Sequence, residues 1–261
     1  NSVDLNSVVG DNLLESDTVD MSDSGELRDD SSTDQIDLVE FNDELFKDLI
    51  SVEQLNKQIL KRIFVRADEF RMMRRNGQSM TNVLRDRVIG LMFYEPSTRT
   101  KCSFDAAAKR LGASVVQVDA DNSSVKKGES FSDFVKCMES YTDCLVVRNG
   151  FEGLLGELVD QGDIKIPLIN AGDGSGEHPT QAILDIYTIR RERGTVNGLT
   201  IGIVGDLKYG RTVHSLVKLL SLYNIRLKYV SYDGLDIPRE VFEYVRARGI
   251  EQKTYENLND I

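Results

Sequence analysis

The sequence predicts an α/β fold with two parallel-sheet βαβ units, the second of them incomplete. Three observations carry that prediction. Apolar runs of strand length alternate with helical periods from Val88 onward, which is the pattern of βαβ units and a parallel sheet covered on both faces. Polar clusters follow four of these runs and open the next helix, where open parallel sheets bind ligands. The chain's formal charge of −11 lies in its first 40 residues, with 12 acids and one base (Arg28), so residues 41–261 balance to zero.

Residues 1–40 hold no aromatic residue and no proline. Their short apolar pairs have no period, so they bury too little surface to offset ordering entropy. They read as a disordered acidic linker, or as a docking segment with serine phosphosites. The chain starts without Met and reads as cut from a longer one. From Ser51, the residues Val52, Leu55, Ile59, Ile63, Phe64 and Phe70 mark a helical stripe. Ser51 and Gln54 have the spacing of a capping box at its start. Arg71, Arg74 and Arg75 suit its solvated C-terminal end.

Strands are predicted at 88–94, 114–118, 145–147 and 167–169, with helices at 103–111, 131–140 and 151–161 between them. A long helix is expected from Pro179 to about Arg193. A second series follows, with strands at 201–204 and 227–230 and helices at 213–222 and 239–248. At most three strands fit in this second unit, and the C-terminus is expected to cut a domain.

The first polar cluster is FYEPSTRT at 93–100. Ser97, Thr98, Arg99 and Thr100 fall at a helix start, where free N–H groups and the dipole favour an anion. Arg99 adds a fork of charge-assisted donors. The pattern predicts phosphate binding, or an ordinary N-cap. The second, DNSSVKKGES at 121–130, is a loop whose Lys126 and Lys127 bind a ligand or stay solvated. Arg148 follows a strand and suits an anion contact. NAGDGSGEHPTQ at 170–181 opens a helix with Pro179 in its first turn. There the dipole disfavours a charged His178, and a neutral imidazole donates to a developing oxyanion; the alternative is a helix cap. GDLKYGRTVHS at 205–215 offers Arg211 as a carboxylate clamp, while His214 packs or bonds at the helix start.

No basic stripe speaks for nucleic acid, and no apolar run approaches the ~18 residues of a membrane span. Three cysteines without Cys-x-x-Cys spacing argue for free thiols and against a zinc ribbon. No secretory pattern opens the chain, and the expected location is the cytoplasm. Tyr94-Glu95-Pro96-Ser97 is not the Gly-x-Gly-x-x-Gly turn of a nucleotide-binding Rossmann protein.

In order and spacing, FYEPSTRT, SVKKGES, AGDGSGEHPTQ and VGDLKYGRTVHS closely resemble the motifs of the aspartate carbamoyltransferase family, over about residues 45–261. The surroundings of Tyr94 and Thr100 look most like the transcarbamoylase that ends the multifunctional pyrimidine-synthesis polypeptide of eukaryotes. The ornithine carbamoyltransferase family shares Ser-Thr-Arg-Thr. It typically has His-Pro-Cys-Gln where this chain has His178-Pro179-Thr180-Gln181, and it lacks the Lys208-Tyr209-Gly210-Arg211 pattern.

The resemblance implies a linker at 1–40, a carbamoyl-phosphate-binding domain at 41–185 and a partial aspartate-binding domain at 186–261. It implies carbamoyl transfer from carbamoyl phosphate to L-aspartate, without metal or organic cofactor. Ser97, Thr98, Arg99 and Thr100 would hold the phosphate, and Arg99 would steady the leaving group. Thr100, Arg148 and His178 would address the carbamoyl oxygen and Gln181 its nitrogen. Ser123 and Lys127 would reach a neighbouring subunit's site in a homotrimer, and Arg211 would bind aspartate. The catalytic set is Arg99, Thr100 and His178. The family's later motifs would lie past Ile261, so this chain by itself is expected to bind carbamoyl phosphate poorly. A trimeric non-catalytic scaffold is the alternative.

Overall fold

The computed structural model describes residues 47–119 and 129–261. The predicted acidic linker lies outside the described residues, as do Ser123 and Lys127.

The first sheet has four parallel strands in the order β2-β1-β3-β4. They are β1 (Val88–Phe93), β2 (Ser114–Asp119), β3 (Cys144–Asn149) and β4 (Leu168–Asp173). Helices α2 (Thr98–Leu111), α3 (Phe131–Glu139) and α4 (Leu154–Asp160) connect them. Period-2 alternation divides the apolar runs between two cores. Met92, Leu145 and Val147 pack with Phe134, Val135 and Leu155 of α3 and α4. Leu91, Phe93 and Val146 face the other way, towards Phe104 of α2. Strands covered on both faces must be apolar throughout, which is why they read as unbroken runs.

The chain passes from β1 to β2 on one side, then crosses to β3 on the other. The crevice between β1 and β3 is therefore the topological switch point of the sheet.

α5 (Pro179–Arg193) leads to the second sheet, β5-β6-β7 in order and parallel. Its strands are β5 (Thr200–Gly205), β6 (Arg226–Ser231) and β7 (Glu251–Tyr255), joined by α6 (Arg211–Leu220) and α7 (Arg239–Arg246). The expected boundary at 185/186 falls inside α5, so the chain changes sheets through an unbroken helix. Ala182 and Ile186 of α5 share one core with Leu219, Leu227 and Tyr229. α1 (Lys57–Arg75) joins that core through Leu60 and Phe64.

Several element ends differ from their predicted places. The Ser51–Gln54 capping box forms, but it closes a single 3-10 turn at Val52–Gln54. Leu55 is then extended and buried, and α1 starts afresh with Asn56 as N-cap, its Oδ1 accepting from Ile59 N–H at 2.9 Å. The reason is a distant acid. Glu177 accepts from the Ser51 hydroxyl and from Val52 N–H, each at 2.8 Å, and so holds the turn apart from the helix. α4 starts at Leu154 and not at Phe151 because Gly153 takes a φ of +78°. α2 begins five residues earlier than periodicity alone indicates, since its first turn is polar. The cysteines are free, and burial pushes the Cys144 thiol up to about 11.

Candidate active site

The carboxyl ends of β1, β3, β4 and β5 open on one cleft of about 1140 Å³. Ser97, Thr98, Arg99 and Thr100 line one wall, and Arg148, His178, Gln181 and Arg211 line the others. Eight residues from four separated motifs thus meet in one space. Ser123 and Lys127 cannot be placed, lying outside the described residues.

Ser97 is the N-cap residue of α2, yet its hydroxyl makes no cap bond. An ordinary cap would satisfy a first-turn N–H with that oxygen. Here the N–H groups of Thr98, Arg99 and Thr100 have no partner inside the helix, and no acidic residue lies in the first turn to compensate. A helix start with free donors, hydroxyls and a guanidinium is built for an anion.

Arg148 is the last but one residue of β3 and pairs in register with Phe93 of β1, which puts it at the switch point. Opposite it the β3–β4 register shifts: from Val147 to Asn149, β3 advances two residues while β4 advances three. The extra residue lies by Gly172, whose φ is +121°. A Cβ there would meet Arg148 Nη1 at 3.0 Å and Arg211 Cζ at 3.3 Å. Glycine therefore lets two guanidinium groups lie against the strand. Arg148 Nη1 donates to Ala171 O at 3.2 Å.

Both arginines converge on Glu95, two residues past β1. Its Oε2 lies 2.8 Å from Arg211 Nη1 and 3.4 Å from Arg148 Nε. The three side chains are 28%, 16% and 12% exposed for Glu95, Arg211 and Arg148. Burial and then the adjacent Arg211 charge lower the Arg148 pKa, against the pull of Glu95. Arg211 opens α6 at a helix N-terminus, a poor place for a cation, which its pairing with Glu95 offsets. Glu95 was not picked out from the sequence. It stands inside the phosphate-type motif, but nothing in its spacing marks an acid as the partner of two cations from other motifs.

His178 is 5% exposed. It is the N-cap residue of α5 but makes no side-chain cap bond, so the plain cap reading does not hold. Burial first, and then Arg148 and Arg211, hold its imidazole down at about 4. The neutral ring expected from the helix dipole is there, with desolvation as the larger cause. Thr180 Oγ1 lies 3.4 Å from Nδ1, and a hydroxyl that donates there leaves the ring proton on Nε2. Gln181 Nε2 donates to Asp185 Oδ1 at 2.9 Å, and burial raises the Asp185 carboxyl. Among the described residues, no three His, Cys, Asp or Glu side chains gather to hold a metal ion.

A cleft at a sheet switch point, with an anion-ready helix start and a neutral imidazole between arginines, is suited to anionic ligands. Comparison with known proteins gives the family. Residues 47–191 match the family "Aspartate/ornithine carbamoyltransferase, carbamoyl-P binding domain", and the chain belongs to it. The chain is 51% identical over 203 residues to the multifunctional protein pyr1-3 of Dictyostelium discoideum, covering 77% of this chain and 9% of that one. It is 47% identical over 192 residues to the aspartate carbamoyltransferase catalytic subunit of Methanococcus vannielii, covering 71% of this chain and 62% of that subunit. The chain thus spans less than two thirds of either relative. Its fold is similar to aspartate transcarbamoylase from Trypanosoma cruzi, solved with carbamoyl aspartate and phosphate. The TM-score there is 0.77 at 38% identity, over 83% of this chain and 71% of that one.

Proposed function

We propose that the chain carries the carbamoyl-phosphate-binding domain, residues 41–185, and part of the aspartate-binding domain, residues 186–261, of an aspartate carbamoyltransferase. The observation that carries this reading is the meeting of Ser97–Thr100, Arg148, His178, Gln181 and Arg211 in one cleft. The relatives' names supply the substrates.

In the reaction the aspartate amine attacks the carbonyl carbon of carbamoyl phosphate. A C–N bond forms, the bond from carbon to the phosphate oxygen breaks, and phosphate leaves with that electron pair while the nitrogen sheds a proton. The products are N-carbamoyl-L-aspartate and phosphate. Charge develops on the carbonyl oxygen and on the leaving group, so donors aimed at both lower the barrier. Ser97, Thr98, Arg99 and Thr100 hold the phosphate, with Arg99 neutralising it as it departs. Thr100, Arg148 and neutral His178 donate to the carbonyl oxygen, and Gln181 meets the carbamoyl nitrogen. Arg211 takes an aspartate carboxylate, exchanging Glu95 for substrate. Holding two anions in line is itself a large part of the rate.

The active form is a cytoplasmic homotrimer within a longer multifunctional polypeptide, and the similarity to pyr1-3 supports the last of these. Ser123 and Lys127 act in the neighbouring subunit's site, Lys127 on aspartate. To test the reaction, the intact protein is given 13C-carbamoyl phosphate and L-aspartate. Labelled carbamoyl aspartate is expected, and labelled citrulline from ornithine is not; the reverse would favour the ornithine enzyme. The shared site is tested by mixing Lys127→Ala and His178→Ala subunits. Activity should return in mixed trimers, and its failure to return would refute sharing.

A further inference from the structure

The chain has two histidines, and the reaction above uses only His178. The other, His214, is 6% exposed and does not line the cleft. Its ring spans the space between two loops. Nδ1 lies 3.1 Å from Ser175 O, in the loop that ends in His178. Nε2 lies 2.9 Å from Leu207 O, in the loop that ends at Gly210 and Arg211. Carbonyl oxygens only accept, so a ring nitrogen bonds only when it carries a proton: the neutral ring donates to one loop at a time, and both bonds form together only in the doubly protonated ring.

The His178 loop also meets α6 directly, His178 N–H donating to Ser215 Oγ at 2.9 Å and Lys218 Nζ to Glu177 Oε1 at 3.3 Å, while the Leu207 loop is tied to its own side. Leu207 is fully buried, and its N–H donates to Leu235 O at 3.0 Å. Asp206 Oδ1 accepts from Lys208 and Tyr209 N–H at 3.0 and 2.9 Å. On the other side, Glu177 N–H donates to Asp173 Oδ1 at 2.5 Å. His214 sets one ring nitrogen against each loop, one helical turn past Arg211.

We propose that His214 is a positioning residue that, beside the Ser215 bond, fastens the Arg211 loop to the His178 loop and so helps set the span between the aspartate-side cation and the carbamoyl-side imidazole. The inference rests on the function proposed above. The Ser97–Thr100 anion site lies on α2, which His214 does not bond, so the effect falls on one substrate more than the other.

The test uses the intact protein with three substitutions. His214→Phe keeps a ring and removes both ring nitrogens. His214→Asn returns an amide donor near the Nδ1 position, and His214→Gln returns one near Nε2. One to two hydrogen bonds of ordinary net strength correspond to roughly tenfold in affinity. His214→Phe is expected to raise KM for aspartate about tenfold while KM for carbamoyl phosphate moves less than about twofold. Asn and Gln should each recover part of the loss. The inference is overturned if His214→Phe leaves KM for aspartate unchanged. It is also overturned if both KM values rise together with a lowered melting temperature and neither amide recovers any part. Should the Phe variant fail to fold, the amide variants decide: intermediate KM for aspartate supports the clamp, and wild-type KM in both contradicts it. If the unsubstituted protein makes no carbamoyl aspartate, the proposed function fails; if it is active and the substitutions are silent, only the clamp fails.

Discussion

His178 shows how two physical causes acted in the same direction while only one was visible in the sequence. A helix N-terminus was legible from Pro179, and its dipole disfavours a cation. The burial of the ring and the approach of Arg148 and Arg211 are tertiary facts. With the folded pKa near 4 against an ordinary 6.5, the unfolded chain takes up a proton that the folded one refuses. The stabilisation is therefore complete above pH 6.5 and is lost as pH falls towards 4. A 15N-histidine NMR titration should show His178 neutral down to about pH 4, and a midpoint near 6.5 would contradict this. Glu95 gives a second residue-scale prediction. Glu95→Ala leaves Arg148 and Arg211 facing each other without their shared anion. The substitution should cost about 1–3 kcal/mol of stability. Added phosphate should restore more of it than in the unsubstituted protein, as read by denaturant unfolding with and without the anion.

At the scale of elements, strands were the more legible. β1 and β3 announce themselves as apolar runs because both faces are covered, and neither needs a long-range partner to be recognised. Element ends were less legible, because side chains far along the chain set them. The Ser51–Gln54 box formed as the spacing indicated, yet Glu177, 126 residues away, turned it into a separate turn. The end of α2 is the opposite case: Gly112 was legible as a stop. It adopts φ +95°, and an added Cβ would collide with the Thr81 carbonyl. Gly112→Ala should therefore cost on the order of 2 kcal/mol or more, seen as a lowered thermal midpoint. Because α2 carries the anion site, phosphate affinity should weaken along with stability.

For the whole molecule, the distribution of charge along the chain bears on the cleft. The excess of 11 negative charges belongs to residues 1–40, and the region with the cleft is neutral overall. Arg99, Arg148 and Arg211 gather at the cleft, where Glu95 pairs with the last two, so an acidic chain holds a cationic cleft that suits the anionic substrates proposed above. The gathering of these residues in one cleft was legible because each motif is local, a strand end and the helix start after it. What was not legible is how the two sheets are joined. α1 and α5 bury Leu60, Phe64, Ala182 and Ile186 in the core of the second sheet, and no local pattern reports that. The central claim is that Arg99 and its neighbours stabilise a departing phosphate. The most direct measurement is the rate of carbamoyl aspartate formation by the intact protein and by its Arg99→Ala variant, both at saturating substrate. A fall on the order of 10³-fold or more is predicted, and a near-normal rate would contradict the account.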